Sequence, residues 1–493
     1  MTANADPSNP ASAAVALPDG VVVVVKRDCP TCVMVAPVLA ELSESLEDLI
    51  VWSQDDPTFP ETIADPVDDT SLDLSYTAGI ETVPTLLVRR DGHEVGRVEG
   101  WDRPEWSALT GVADLGQDLP EFRPGCGSLS VDPAHVDELR VRHEGHRLRA
   151  RRLDLGVLED EVEALFDRGW TDGLPVVPPT PARVLAMLEG TSRSPQDVVA
   201  VVPPDLVECT VEKVAINAVM AGCAPEHLPV VLAAVEAVCT DAFNMHGLLA
   251  TTMSMGPVLI VNGPVATAIG MNSGVNVLGQ GNRANATIGR AVQLVVRNVG
   301  GGRPGEIDRA TLGSPAKVGF CFAEDETGSP WEPLSVARGM APGTSAVTVF
   351  PGEAPRIVVD QLSRTPASLA ASIAGCLRTV WHPKLPMAMD ALLVVAPEHA
   401  RVIAEAGWSR DDLVAALDGL LQLPGEAIVR GAGGITEGVP AELAGQTIPK
   451  LRPGGLLIVH AGGSAGLFSA IIGGWVNGPT GSDPVTVPID PWM

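Results

Sequence analysis

The chain has 493 residues and carries 61 acidic against 33 basic side chains, for a formal charge of −28. This length predicts about two to four domains, since domains average roughly 100–200 residues. The acidic balance excludes a general nucleic-acid binder, because displacing the counterions of nucleic acid requires a basic face. With 45% apolar and 19% charged residues, the composition also excludes wholesale disorder.

Eight cysteines in a chain of this length are too sparse for a disulfide scaffold. Met1–Ala16 lacks a basic stretch followed by a long apolar run, and no uninterrupted apolar run reaches the ~18–20 residues of a membrane span. The sequence therefore predicts a soluble cytoplasmic protein without nucleic-acid or membrane partners. It leaves open whether the protein forms a homo-oligomer.

A Cys-x-x-Cys motif lies between a predicted strand and a predicted helix near the start of the chain. Val21–Val25 is a β-branched run typical of a buried strand, and the apolar stretch from Val33 to about Leu46 favours a helix. Cys29 and Cys32 then lie at a helix N-terminus, where unpaired N–H groups and the helix dipole favour a thiolate. Two such thiols can form and reopen a small disulfide by exchange.

A zinc half-site and a chance occurrence of the motif are the alternative interpretations of the same two cysteines. No second Cys-x-x-Cys and no nearby His completes a tetrahedral ligand set in the sequence. We therefore predict redox chemistry at this motif and no metal.

A second signature follows downstream. Thr77-Ala-Gly-Ile-Glu-Thr-Val-Pro-Thr-Leu-Leu-Val88 leads into a predicted strand, a turn at Asp91-Gly92 and another strand at Val95–Val98. Together with the Cys-x-x-Cys motif, this arrangement resembles a thioredoxin from about Leu17 to Ala113. We accordingly expect a thioredoxin-like domain at residues 16–114 of an α/β protein.

The resemblance implies roles for four residues. Pro84 would be a cis proline facing the disulfide, and the backbone of Val83 would hold a substrate strand. Cys29 would be the nucleophile and Cys32 the resolving thiol. No cofactor is expected beyond the redox-active Cys29–Cys32 disulfide.

Two positions depart from the family's pattern. Asp28 stands where the family usually has Trp, and its negative charge should oppose thiolate formation at the next residue. Val23 replaces a buried Asp that serves many members as a proton acceptor. These departures bear on potency and on the choice of partner.

Residues 115–160 are predicted as a linker that carries a third candidate thiol. Cys126 lies between two glycines and precedes Ser128, so backbone freedom and nearby N–H groups could expose and stabilise a thiolate. A buried or incidental cysteine in a turn is the alternative. Alternation in the Arg-rich stretch 139–153 predicts a hairpin with a basic face, which would dock an acidic neighbour or bind an anionic substrate.

Residues 161–493 are predicted as a larger mixed α/β domain. Pro181–Leu188, Val211–Ala221 and Pro225–Cys239 favour helices, Val258–Val261 favours a buried strand, and about 285–296 favours another helix. The Gly/Asn-rich loop between these last two elements could bring N–H groups close to a ligand. Arg283 and Arg290 near it are candidate substrate-binding residues, as is Ser128 beside Cys126. Lys317 and Cys321 are further candidates, predicted on one face of a strand near Glu324.

This region resembles the UGSC-type (seleno)protein family from about Gly125 to the C-terminus. The motifs are Cys126-Gly-Ser, Asp172-Gly-Leu-Pro-Val-Val-Pro-Pro-Thr180, Pro397-Glu-His399 with Gly407-Trp-Ser409, and Gly454-Gly-Leu-Leu-Ile-Val-His460. Cys126 would take the first position of the family's U/C-Gly-Ser-Cys motif, but Leu129 occupies the last. The domain itself shows a weak internal echo, which predicts two repeated αβ halves: Ala224-Pro-Glu-His227 with Ala396-Pro-Glu-His399, and Val258–Gly263 with Leu456–Gly462.

The sequence thus predicts a thiol-dependent oxidoreductase. Cys126 would react with a small oxidised or electrophilic substrate, and Cys29 of the thioredoxin-like domain would return it to the thiol. The partners would be a small-molecule or protein thiol/disulfide substrate and an external thiol reductant. The alternatives are a C-terminal lyase or hydrolase using Glu226, His227 or His399, and a metabolite-binding module fused to a general disulfide reductase.

Overall fold

The computed structural model describes residues 16–153, 155–156 and 159–493. The chain divides into two compact units, Met1–Leu148 (unit 1) and Arg149–Met493 (unit 2), and both have mixed α/β structure. Across the described ranges, no helix combines the length and the apolar character that crossing a membrane requires. Each unit is described on its own.

Unit 1 contains four α-helices and nine strands in its described part. Two short 3-10 turns, Leu129–Val131 and Gly145–Arg147, flank the last helix. The strands are β1 Gly20–Val25, β2 Leu49–Ser53, β3 Val67–Asp68, β4 Thr82–Val83, β5 Thr85–Arg90, β6 His93–Glu99, β7 Trp101–Asp102, β8 Phe122–Arg123 and β9 Cys126–Gly127. The helices are α1 Pro30–Ser45, α2 Asp73–Thr77, α3 Arg103–Thr110 and α4 Val136–Glu144.

The central sheet of unit 1 has the strand order β3-β2-β1-β5-β6. β1 pairs parallel with β2 and antiparallel with β5, and β6 pairs antiparallel with β5. All six residues of β1 are buried, as its β-branched sequence predicts for a strand covered on both faces. The predicted turn is confirmed, because Asp91 and Gly92 both have positive φ and connect β5 to β6.

The segment 115–148, predicted as part of the linker, belongs to unit 1. Within it β8 pairs with β7, and β9 pairs with β4. Asp154, Val157 and Leu158 of the predicted linker lie outside the described residues. The linker prediction followed the Pro-rich and acidic composition, which carries no information about these two short pairings.

The predicted Arg-rich hairpin is wrong, because Val136–Glu144 forms helix α4. Arg142 forms an ion pair with Glu138, one turn earlier, at 2.6 Å, and another with Asp73 at 3.0 Å. Such an i, i+4 pair stabilises a helix, whereas the apparent alternation of basic residues suggested a strand. The arginine therefore binds acidic groups of its own unit.

Unit 2 contains the remaining elements. The strands are β10 Val198–Val202, β11 Val207–Thr210, β12 Gly256–Asn262, β13 Cys321–Ala323, β14 Ala346–Gly352, β15 Arg356–Val359, β16 Met389–Val395, β17 Gln422–Pro424, β18 Thr447–Pro449, β19 Leu456–His460, β20 Phe468–Val476 and β21 Val485–Pro488. The helices are α5 Glu161–Asp167, α6 Pro181–Leu188, α7 Val211–Ala221, α8 Leu228–Val238, α9 Met245–Ala250, α10 Pro264–Ala268, α11 Arg283–Asn298, α12 Leu334–Ala337, α13 Pro366–Leu377, α14 Pro397–Glu405, α15 Arg410–Leu420 and α16 Gly425–Ile428. The helices and the buried strand predicted between residues 181 and 296 are confirmed.

The main sheet of unit 2 follows the order β13-β12-β14-β20-β16-β19. β12 pairs parallel with β13 and antiparallel with β14, and β16 pairs parallel with β19 and antiparallel with β20. The two ends of this path approach each other, since Asp325 N donates to His460 O at 2.8 Å. One apolar core includes buried side chains from all six strands.

Two halves of unit 2 thus contribute three strands each with the same pairing scheme. By that scheme β12 corresponds to β16, and β13 to β19. The sequence echo between Val258–Gly263 and Leu456–Gly462 instead aligns β12 with β19, so it does not follow this pairing scheme. Both strands are apolar and each is followed by glycine within two residues, which makes their sequences look alike.

Candidate functional site

The Cys-x-x-Cys motif occupies the start of α1, as its sequence predicts. Cys29 is the N-cap residue, and its sulfur accepts a hydrogen bond from Cys32 N at 3.4 Å. Pro30 occupies the first turn, where no N–H partner is required. Cys29 and Cys32 are 1% and 0% exposed, and both are free thiols.

A short two-stranded ladder brings a third thiol to this position. β4 pairs antiparallel with β9, with Val83 opposite Cys126 and Thr82 opposite Gly127. The Val83–Pro84 peptide bond that follows β4 is cis, as the thioredoxin resemblance implies. Pro124–Ser130, hereafter the docked segment, therefore lies along the chain that precedes Pro84.

The decisive geometry is the contact between two sulfur atoms. Cys126 Sγ lies 2.9 Å from Cys29 Sγ, and Cys29 Sγ lies 3.5 Å from Val83 O. The sulfur–sulfur distance is longer than the roughly 2.05 Å of a covalent disulfide, and it is a thiol hydrogen bond. Cys126 is partly exposed, whereas the other two thiols are buried. Cys126 is therefore the most solvent-accessible of these three thiols.

The three thiols differ in their readiness to ionise. Hydrogen bonds from the Cys32 and Cys126 side chains and from two backbone N–H groups outweigh burial and lower the pKa of Cys29 to about 5. Burial, reinforced by the neighbouring Cys29 thiolate, raises the pKa of Cys32. Burial and the same thiolate also raise the pKa of Cys126. These shifts favour a thiolate at Cys29 beside two protonated thiols.

The predicted effect of Asp28 does not prevent this ionisation. Asp28 is exposed, so water screens its charge, and its own N–H donates to Asp55 Oδ2 at 2.8 Å. The donors at the start of α1 contact the Cys29 sulfur directly and dominate over a solvated charge next to it.

Three side chains that the sequence analysis did not single out hold the docked segment. Thr31 Oγ1 donates to Pro124 O at 2.8 Å, and Lys26 Nζ donates to Gly127 O at 2.9 Å. Gln54 Nε2 donates to Ser128 Oγ at 2.7 Å, and Gln54 Oε1 accepts from Leu129 N at 3.1 Å. The Lys26 and Thr31 positions beside the two cysteines were a usable signal, but nothing local marked Gln54.

Gly125 permits the close approach of the docked segment. A Cβ atom at this position would lie 2.6 Å from Val83 O and 2.4 Å from Thr82 Cγ2. A Cβ atom at Gly127 would have no atom within 4 Å. Any side chain at position 125 would therefore clash with β4, whereas position 127 has room for one.

Ser128 is placed in unit 1 as a buried anchor. Its N–H donates to Glu81 O at 2.9 Å, and its hydroxyl lies 2.7 Å from Ser130 Oγ. Ser130 Oγ in turn donates to Ile80 O at 2.7 Å. The candidate substrate-binding serine thus fastens the docked segment to the chain before β4.

The two candidate arginines of unit 2 are bound to protein groups. Arg283 donates to Gly222 O at 2.9 Å and to Cys223 O at 3.1 Å. Arg290 forms a bidentate pair with Asp172, at 2.7 and 2.8 Å, and its guanidinium lowers the pKa of that carboxyl. Both arginines tie α11 to preceding loops.

Lys317 and Cys321 do not share a strand face, contrary to the prediction. Lys317 ends a 3-10 turn and forms a 2.6 Å ion pair with Asp308, while Cys321 begins β13 and is buried. Burial raises the pKa of Cys321. The alternation was misread because Pro315 starts a turn that delays the strand to Cys321.

The polar group at the carboxyl end of β13 has a different set of partners. Glu324 accepts from Asn262 Nδ2 and from Leu334 N, both at 2.7 Å, and burial raises its pKa. His460 Nδ1 donates to Asp325 O at 3.1 Å. These bonds fasten the carboxyl ends of β12, β13 and β19 to one another.

The histidines of the alternative hypothesis have structural partners. His227 Nδ1 accepts from Ala224 N at 3.2 Å, the capping role expected at a helix start. His399 is fully buried, with Nδ1 2.8 Å from Ser469 Oγ and Nε2 3.1 Å from Asp360 O. Glu226, beside the first of these, lies in the same 3-10 turn.

The Gly/Asn-rich loop of unit 2 borders a surface cavity of about 450 Å³. Its lining residues are Met271, Asn272, Val275, Gln280, Gly281 and Asn282. Among residues 16–153, 155–156 and 159–493, no three His, Cys, Asp or Glu side chains are grouped so that they could hold a metal ion. Comparison with family models, with curated proteins and with solved structures found no match to this chain.

Proposed function

We propose that the protein is a thiol–disulfide oxidoreductase in which Cys126 receives oxidising equivalents and the Cys29–Cys32 pair removes them. The observation that carries this proposal is the 2.9 Å contact between Cys126 Sγ and Cys29 Sγ. A thiolate within hydrogen-bond distance of a second sulfur needs only a small displacement to attack it. Cys126 belongs to the same compact unit as the pair that would reduce it.

The first step is attack of Cys126 on a disulfide substrate. Its thiol proton passes to the Cys29 sulfur, which lies 2.9 Å away and whose lowered pKa favours the thiolate. The substrate's S–S bond breaks, one half remains on Cys126 as a mixed disulfide, and the other leaves as a thiolate that takes the proton from Cys29.

The next two steps transfer the disulfide inward. The Cys29 thiolate attacks Cys126 Sγ, forming the Cys29–Cys126 bond and releasing the second half of the substrate as a thiolate. Cys32 then attacks Cys29 and its proton passes to the departing Cys126 sulfur, which restores the Cys126 thiol and leaves a Cys29–Cys32 disulfide. Two protein thiols are oxidised and one substrate disulfide is reduced, and an external thiol reductant returns the pair to its starting state.

The topology of unit 1 supports a thioredoxin-like assignment for this chemistry. β1 precedes the helix that carries the motif, β2 follows it, and the two strands pair in parallel. An antiparallel β5–β6 hairpin follows the cis proline. Cys29 at the helix N-terminus, with its lowered pKa, is the arrangement that makes such a thiol nucleophilic.

The test traps the central intermediate. Cys32→Ser removes the resolving thiol, so reaction of the reduced variant with hydroxyethyl disulfide should accumulate a Cys29–Cys126 disulfide, which peptide mapping by mass spectrometry identifies. Cys376→Ser is the control, because it makes the same Cys-to-Ser change at a thiol of unit 2 that takes no part in the proposed exchange. That variant should accumulate the Cys29–Cys32 disulfide instead.

The double variant Cys32→Ser, Cys126→Ser should show no internal cross-link. The proposal is overturned if Cys32→Ser carries substrate only on Cys29 while Cys126 stays fully available to alkylation. Such a result would mean that Cys126 takes no part in the exchange.

A further inference from the structure

We infer that the docked segment closes the peptide-binding edge of the oxidoreductase, so that its disulfide substrates and its reductant are small molecules rather than proteins. This inference rests on the proposed function and adds its substrate class. It starts from the fact that Cys126 is part of a strand, β9, which is paired to the chain that precedes Pro84.

A protein disulfide that reacts with a buried thiol must bring an extended chain against it. The common way to hold such a chain is to add a strand to an exposed strand edge through backbone hydrogen bonds. At β4 that edge is already paired, with Cys126 opposite Val83. Ser128 N donates to Glu81 O at 2.9 Å, so the pairing extends beyond β4.

The docked segment is fixed along its whole length. Thr31 holds Pro124 at one end, Lys26 holds Gly127 in the middle, and Gln54 holds Ser128 at the other end. The Gln54 and Ser128 side chains are 1% and 2% exposed, so the bond between them is shielded from competing water. A loosely attached loop would not bury its anchors in this way.

Packing around Gly125 leaves no room for a second chain beneath the docked segment. A Cβ atom at residue 125 would lie 2.6 Å from Val83 O, which is closer than any ordinary contact. A competing protein strand must therefore displace the segment, because it cannot insert between it and β4.

Exposure decides what can still react. With the docked segment in place, Cys29 and Cys32 are buried and Cys126 alone among the three is partly exposed. A small disulfide can approach one exposed sulfur without a backbone docking edge. On the return half of the cycle, Cys126 attacks Cys29 and releases Cys32, which carries the disulfide back to the partly exposed sulfur. A low-molecular-weight thiol can then attack Cys126 and release Cys29, whereas a protein reductant would need the occupied edge.

The test compares two oxidants on the reduced full chain in a single turnover. Hydroxyethyl disulfide is the small probe and insulin is the protein probe, and formation of the Cys29–Cys32 disulfide is followed by alkylation and mass spectrometry. The wild-type chain should be oxidised rapidly by hydroxyethyl disulfide and slowly by insulin. The ratio of the two rate constants is the quantity compared between variants.

Gly125→Ala places a methyl group against Val83 and should unseat the docked segment. The rate with insulin should rise at least about tenfold, because overpacking at such a contact shifts the seated equilibrium by an order of magnitude. Gly127→Ala is the matched control, adding the same methyl group to the same segment with no atom within 4 Å. It should keep the wild-type ratio.

Thr31→Val is the second variant, since it removes the bond to Pro124 without adding volume. It should raise the insulin rate relative to the hydroxyethyl disulfide rate, by a smaller factor than Gly125→Ala. If Gly125→Ala loses reaction with both oxidants, the Thr31→Val result tests the inference in its place. Equal insulin rates in wild type and in the variants that loosen the segment would overturn the inference. That failure would leave the trapped Cys29–Cys126 disulfide intact, so it is distinguishable from failure of the proposed function.

Discussion

Gln54 binds Ser128 through the carboxamide nitrogen at 2.7 Å, and its carboxamide oxygen accepts the next backbone N–H, that of Leu129, at 3.1 Å. The same nitrogen also donates to Ser75 Oγ at 2.9 Å. One buried side chain from the end of β2 therefore joins two distant parts of unit 1. The position of Cys126 depends on this connection.

Replacing Gln54 with Ala should loosen the docked segment. The change removes the bond to Ser128 and leaves the Leu129 N–H without its partner, at a cost of about 1–3 kcal/mol. Hydrogen exchange of peptides that cover residues 122–131 should accelerate roughly 5- to 100-fold, measured by mass spectrometry on the full chain. Gln117→Ala, at an exposed position, should leave that exchange unchanged. Unaltered protection in the Gln54 variant would contradict the anchoring role.

The ionisation of Cys29 should respond to both neighbouring thiols. Its thiolate absorbance should titrate in the wild type with a midpoint near pH 5, the pKa of about 5 for this group. Hydrogen-bond donors stabilise the thiolate, so removing either one raises the pKa and moves the midpoint to higher pH. Cys32→Ala should shift it further than Cys126→Ala, because the Cys32 bond is the larger cause.

A cysteine that stays protonated provides the control for this titration. Burial raises the pKa of Cys209 to about 12, so Cys209→Ala should not alter the acid titration. An unshifted midpoint in Cys126→Ala would show that the two sulfurs are not hydrogen bonded in solution.

Arg290 should act in unit 2 as a structural cross-link. Arg290→Lys keeps the charge but loses the planar fork that binds Asp172 and the carbonyl of Pro175. Unit 2 should lose about 1–3 kcal/mol of stability, seen as faster hydrogen exchange in residues 170–176. Arg401→Lys, whose side chain is 61% exposed, should change stability by no more than about 0.5 kcal/mol. A silent Arg290 variant would reopen a ligand-binding role.

The histidines of unit 2 should not be needed for disulfide reduction. His227→Asn retains an acceptor for Ala224 N, so the helix start should survive and single-turnover oxidation by hydroxyethyl disulfide should keep its wild-type rate. Cys126→Ser in the same assay should slow that reaction, because it removes the exposed thiol. The reverse order of effects would contradict the assignment of Cys126 as the thiol that meets the substrate.

The sequence predicted those elements of unit 1 that are determined by interactions between neighbouring residues. The β-branched run of β1, the helix start at Pro30 and the turn at Asp91 each follow from a few adjacent residues. The pairing of β9 with β4 involves residues more than 40 positions apart and only two residues on each side. No periodicity or composition encodes so short a contact, so the sequence placed Cys126 in a linker.

The same limit explains the candidates in unit 2. Arg290 and Lys317 were selected for their charge near a glycine-rich loop, but the structure pairs them with Asp172 and Asp308. The partner of Arg290 lies more than 100 positions away in the chain. A sequence shows that a charge exists, and only the fold shows whether another residue already neutralises it.

The contact between Cys29 and Cys126 also gives the unit an odd number of sulfurs around one reaction centre. Internal disulfides consume thiols two at a time, so one of the three is left reduced after every complete transfer. Because Cys32 displaces Cys126 in the last step, the spare thiol is always the outermost one. The oxidised protein therefore still exposes the Cys126 thiol to the solvent. A second oxidant molecule would react with this thiol while the Cys29–Cys32 pair is oxidised and cannot reduce it.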